Sequence, residues 1–200
     1  MQQRVWSSRN KWLGNLIPVL CALPLIIAGA AWMIATKKIT PPPILLCAAG
    51  LVVGWLAVNK FGLWGNAAMK QELARKLLAK LGLNASDCTF VGFATPSYIG
   101  TLDAHEDLGF LAVLDDQIEF HGEDHNVSLT KNSVREIRRR ANIHTLLGLG
   151  GWVSIEAELS GKPVRLLVEP RHANTLLGNK KVAKALMVDL TRWKNENGPG

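Results

Sequence analysis

Two histidines in His121-Gly-Glu-Asp-His125 are the nearest this chain comes to a metal motif. At the two ends of a hairpin loop their rings could face each other, with Glu123 or Asp124 as a third ligand. Zinc takes three or four such ligands, each held by a surrounding hydrogen-bonded shell. The spacing supplies only a pair, so the competing reading, a solvated polar turn, is the one the ligand count favours. A second group, Asp103, His105, Glu106 and Asp107, could set a carboxylate against an imidazole for proton transfer. No nucleophile accompanies it, and the segment reads as a solvent-facing loop. No catalytic set and no cofactor-binding pattern emerges.

The densest basic cluster in the C-terminal part is Arg135 with Arg138-Arg139-Arg140. Successive side chains on a strand point to opposite faces, so Arg138 and Arg140 share one. There they could grip a phosphate or a partner's carboxylates, and with Arg135 they are the candidate contact residues for a partner or a lipid. The plainer alternative is an edge strand whose charges prevent aggregation. Lys180, Lys181 and Lys184 read as the polar face of a helix. Gly148-Leu149-Gly150-Gly151 lacks the Lys-Ser/Thr of a phosphate-binding loop and the spacing of a dinucleotide fingerprint, so it reads as a connection between strands. Cys21, Cys47 and Cys88 show no paired spacing, which indicates neither a disulfide framework nor a zinc site.

The elements that must carry these residues divide the chain in two. The net charge is +7 over 200 residues. It splits as +6 for residues 1–65, which contain no acidic residue, and +1 for the rest. That excess flanks apolar runs, which points to membrane topology rather than a nucleic-acid footprint. Trp12 to Thr36 is free of charge and long enough to cross a bilayer, which takes about 20 residues. A second apolar run follows Pro41-Pro42-Pro43 and is short, reaching full length with help from Lys60 to Trp64. The spans are placed at about 13–36 and 44–64, and residues 1–65 read as a transmembrane hairpin. Trp6, Trp12, Trp32 and Trp64 fall where an interfacial aromatic belt would put them. Gly50 and Gly54 form a GxxxG, a weak signal for close helix packing. Neither span has an ionisable group in its interior, so the hairpin reads as an anchor rather than a transport path. Lys and Arg counts on the flanks place both termini in the cytoplasm.

After the hairpin, residues 66–87 read as a juxtamembrane amphipathic helix and linker. Met69, Leu73, Leu77, Leu78 and Leu81 form its apolar face, directed either at the membrane surface or, the favoured choice, at the following domain. From Cys88 short strands are expected at Thr89–Ala94, Gly109–Leu114, Gln117–His121, Asn126–Thr130, Val134–Arg140, Trp152–Leu159 and Pro163–Glu169. Turn signals stand at Asp115-Asp116 and Ser160-Gly161-Lys162. A closing helix begins at Thr175 and runs to Lys194, with Asn174 or Thr175 as its cap, followed by a polar tail, 195–200.

Seven short strands closed by one helix resemble the pleckstrin-homology-like domains, including the GRAM and bacterial PH-like groups. The resemblance rests on the hairpin GFLAVLDDQIEFHG, the stretch NSVREIRRR, the hairpin VSIEAELSGKPVRLLVE and the last helix, and covers residues 88–194. It implies a mainly-β barrel of α+β class that binds lipid headgroups, peptides or proteins and is rarely an enzyme. It also implies a bacterial inner-membrane setting, since similar domains occur there fused to membrane helices. The sequence reading is therefore a non-enzymatic membrane-anchored interaction module, an accessory or assembly subunit of a larger membrane complex. Headgroup recognition is the second reading, and a metal-dependent enzyme built on His121 and His125 the third.

Overall fold

The computed structural model describes residues 5–78, 81–98, 105–142, 145 and 147–196. They form two compact units. One is a helical hairpin, Ser8–Trp64; the other holds residues from Gly65 onward together with the segment before Ser8. The chain thus leaves the second unit into the hairpin and returns to the same unit.

The hairpin consists of α1, Ser8–Thr36, and α2, Pro41–Phe61. Both are long and apolar enough to cross a membrane. Pro18 and Pro24 lie inside α1, which continues through them. The prolines at 41–43 are part of α2, not its prelude, because a missing amide hydrogen costs nothing in a helix's first turn. With 21 residues, α2 reaches about 31 Å by this N-terminal extension together with Lys60 and Phe61, and it stops short of the Trp64 that the sequence suggested. Small residues form the seam between the helices. A Cβ on Gly50 would lie 2.7 Å from the Ile26 side chain, and one on Gly54 would lie 2.9 Å from the Ala22 Cβ. A side chain at either place would push the helices apart. The opposite surfaces carry exposed Leu16, Leu20, Leu23 and Ile27 on α1, and Leu45, Val52 and Leu56 on α2.

In the second unit, α3 spans Asn66–Leu73 and continues as a π-helical turn, Ala74–Leu78. The buried apolar residues are Met69, Leu73 and Leu78, a step of four and then of five. The wider π turn absorbs one extra residue, so Leu78 rather than Leu77 reaches the inward face. This face packs on Phe90, Leu108 and Phe110 of the sheet, as the domain-packing reading expected. Leu81, counted in the same stripe from the sequence, is exposed.

Seven antiparallel strands follow: β1 (Cys88–Ala94), β2 (Asp107–Val113), β3 (Gln117–Gly122), β4 (Asn126–Thr130), β5 (Val134–Arg140), β6 (Trp152–Leu159) and β7 (Lys162–Pro170). Their order is β4-β3-β2-β1-β7-β6-β5. The β6–β7 turn places Ser160 and Gly161 at positive φ, the twist a two-residue hairpin requires. The last helix, α4, spans Leu176–Asn195, with the Thr175 hydroxyl accepting from the Gly178 amide as its N-cap. A closed barrel was expected; the sheet is open, with β4 and β5 as its hydrogen-bonding edges. Side-chain packing closes what the ladder does not. Leu186, Leu190 and Trp193 of α4 join one core with Leu129 of β4, Val134 of β5, Phe93, Phe120, Ile155 and Val168. Trp193 also donates its indole N–H to Leu114 O at 2.5 Å.

Candidate functional site

The His121/His125 loop separates its two rings. His121 Nε2 lies 2.8 Å from Glu119 Oε2. His125 turns the other way, with Nδ1 3.3 Å from Asp107 Oδ2 and its ring 5.4 Å from that of Phe93. Glu123, the proposed third ligand, accepts the backbone amides of Val5 and Trp6 instead. Among the described residues no group of three histidine, cysteine or carboxylate side chains is arranged to hold a metal. The sequence spacing was right for a loop, but each ring found a carboxylate on its own side of the sheet.

Two residues of the patch read as a solvent-facing loop are instead buried. His105 is 1 % and Asp107 0 % exposed, while Asp103 lies outside the described residues. Asp107 accepts the amides of Leu108, Asp124 and His125 at 2.8–2.9 Å, so its carboxylate organises the β3–β4 turn. A buried carboxylate is tolerable only with such donors. His105 sits over Gly92, where any Cβ would collide with the ring. Its Nε2 is 3.1 Å from Glu169 Oε2 and its Nδ1 3.4 Å from Arg171. Arg171, 2 % exposed, donates from Nε to Asn66 Oδ1 at 3.1 Å and stacks 4.7 Å over the ring of Trp6. Trp6 is itself buried and donates to His105 O, so it is no part of an aromatic belt; Trp12, Trp32 and Trp64 remain exposed. This network ties together the residues just before α1, the first residue of α3 and the end of β7. The sequence reading missed it because its members are far apart in the chain.

Cys88 is buried, and that burial, followed by the charges of Asp87 and Glu119, pushes its thiol up, so it stays protonated and inert. His172 beside Lys70 is pushed down by desolvation and by the lysine's charge; desolvation lowers Lys70 as well.

The predicted arginine face exists, and it is already occupied from within. Arg138 and Arg140 share a face of β5, as the alternation required. Glu156 of β6 lies between them. Arg138 donates to it from Nε and Nη2, both at 2.9 Å, Arg140 at 2.8 Å, and Arg165 of β7 stands 3.1 Å away. The Arg140 hydrogen bond, then that of Arg138 and the charges of Arg138 and Arg165, outweigh desolvation and hold the Glu156 carboxyl down at about 2. Arg135 pairs with Glu158 at 3.1 Å. The adjoining open cleft of ≈ 690 Å³ carries both signs of charge, already matched.

Arg139, on the opposite face of β5, has a different setting. It flanks a groove of ≈ 280 Å³ between β5–β6 and α4. Trp152, Val153, Ala183 and Met187 line it, and Lys180 and Lys184 rise from α4 along its rim. Arg139 donates to Gly150 O at 3.3 Å and Lys180 to Gly148 O at 2.7 Å. Neither these two nor Lys184 forms an ion pair among the described residues. The nearby Gly151 amide donates to Glu169, which links the groove's wall to the buried network. In the sequence, the i, i+4 pairs Lys180/Lys184 and Ala183/Met187 were the available signal; the lysines read as an ordinary polar face and the second pair was not singled out. The chain matches no family model and no curated protein.

Proposed function

We propose that this is a non-enzymatic, membrane-anchored interaction protein. Its hairpin lies in a bilayer, the pleckstrin-homology-like sheet domain stands outside it, and the domain docks on another subunit of a membrane complex. The observation that carries this reading is a contrast in how side chains are satisfied. In the hairpin, large apolar side chains on both helices point outward, suited to lipid or to another membrane helix. In the sheet domain, the groups with chemical potential have internal partners: His121 with Glu119, His125 with Asp107, His105 with Glu169. What that domain offers outward is shape and charge, the means of a docking module. Two meanders, β1–β4 and β5–β7, joined through the β1–β7 pair and followed by a terminal helix, support the pleckstrin-homology-like reading. Both termini facing the cytoplasm of a bacterial inner membrane is part of the same proposal, resting on the flanking lysines and arginines.

Recognition of an anionic lipid headgroup through Arg135, Arg138 and Arg140 is the weaker alternative, because Glu156 and Glu158 already hold those side chains. The test is purification of the full chain from membranes in a mild detergent, followed by mass measurement and mass spectrometry. A particle well above the 21.8 kDa chain, with a defined membrane-protein partner, is expected. A lone monomer, or a chain released from membranes by alkaline carbonate, would overturn it.

A further inference from the structure

We infer that the groove between α4 and the β5–β6 edge receives a single large apolar side chain from a partner segment whose flanking residues are acidic. This rests on the docking reading and names the chemistry of the partner.

Size, lining and charge carry the inference. At ≈ 280 Å³ the groove falls just below the range of about 300–1,000 Å³ that holds a drug-sized ligand or cofactor. It suits one aromatic or branched side chain. Its floor is the buried Val153, which pairs across the strands with Arg139, and Ala183, Met187 and Val188 of α4 line it as well, an apolar lining unsuited to a polar headgroup. Methionine in such a wall adapts to the shape of what enters. Three cations, Arg139, Lys180 and Lys184, stand around this apolar floor. The first two spend donors on backbone carbonyls, which satisfies hydrogen bonds but leaves the charge unmatched. On the other face of the same strand, Arg138 and Arg140 have a carboxylate supplied by the chain itself. Carboxylates on the incoming segment, on either side of its apolar anchor, would complete this rim as Glu156 completes the other face. An apolar anchor within a ring of polar contacts is the usual form of a strong contact point.

The test uses the full chain in detergent and fluorescein-labelled peptides read by anisotropy. The probe has one phenylalanine flanked by aspartates and glutamates. One control replaces the phenylalanine by alanine, and a second replaces the acids by lysines. Saturable binding of the first peptide alone is expected, with affinity lowered about ten-fold or more by Lys180→Glu with Lys184→Glu, and equally by Met187→Trp, which fills the groove. Arg138→Ala, on the opposite face, should change it less than about two-fold. A thermal unfolding midpoint matching the parent confirms that each variant is folded. Equal binding of the phenylalanine and alanine peptides would overturn the proposal, as would binding that survives both groove variants. Groove-dependent binding to vesicles of anionic lipid, with no peptide binding, would assign the groove to lipid and overturn it too. The two readings fail separately: a chain that purifies in a complex but ignores the peptide loses only the groove, whereas a solitary chain that binds the peptide loses only the subunit role.

Discussion

The two faces of β5 carry arginines one residue apart and treat them in opposite ways. Arg138 and Arg140 meet a carboxylate that the fold supplies. Arg139 meets a backbone carbonyl and an apolar groove. The difference shows that basic residues in a row are not one site: the sheet sorts them by face, and cross-strand neighbours decide which charges remain available. Arg171 sets the far end of this scale, a guanidinium removed from water and held by a buried network.

Substitutions along this scale test it. Arg171→Ala should be the most damaging, costing about 3–5 kcal/mol, because it leaves buried partners without their donor. Thermal unfolding of the full chain in detergent measures it, and a loss below about 1 kcal/mol would show that the network is not integral to the fold. Glu156→Gln comes next. It should cost about 1 kcal/mol, a fall of roughly 2–4 °C, because the three arginines it serves are each about a third exposed or more and solvent screens them. The same substitution should increase binding of the protein to anionic vesicles at low salt, since it makes the paired face resemble the unpaired one.

The pH profile gives a smaller and separate signal. With its carboxyl lowered from the ordinary 4.5 to about 2, folded Glu156 binds fewer protons than unfolded Glu156 across that interval. Its contribution is therefore complete above about 4.5 and is lost as the pH falls through about 2. Unfolding midpoints across this window should slope less in Glu156→Gln than in the parent; parallel curves would remove Glu156 from the account. Least of all, Lys184→Ala should shift stability by no more than about 0.5 kcal/mol, because no internal partner loses anything. A larger loss would mean that Lys184 has a structural task and would weaken the case for a docking rim.

Much of this architecture could be read from the residues, for local reasons. All seven strands and α4 lie within about two residues of where alternation, turn signals and helical spacing put them. The Glu156–Arg165 pair was also within reach, since a two-residue turn at Ser160-Gly161 fixes the β6–β7 register. Its pairing with Arg138 and Arg140 was not, because eleven residues separate β5 from β6 and carry no turn signal that sets a register in advance. His105 and Asp107 looked like loop residues because nothing nearby in the chain announces the backbone amides and the distant Glu169 that make their burial tolerable. Trp6 was misassigned for a related reason. A tryptophan before an apolar span resembles an interfacial anchor, and only the fold shows Arg171 stacked on it.

The buried position of Trp6 also bears on the order in which the protein is made. Val5 and Trp6 are synthesised before both hairpin helices, yet Val5 binds Glu123, 118 residues later, and Trp6 stacks on Arg171, later still. Both hairpin helices are synthesised in between. The segment before α1 therefore stays undocked while the hairpin inserts and the sheet assembles, and its docking is a late step of folding. A bulky group placed directly before Val5 would burden that last step.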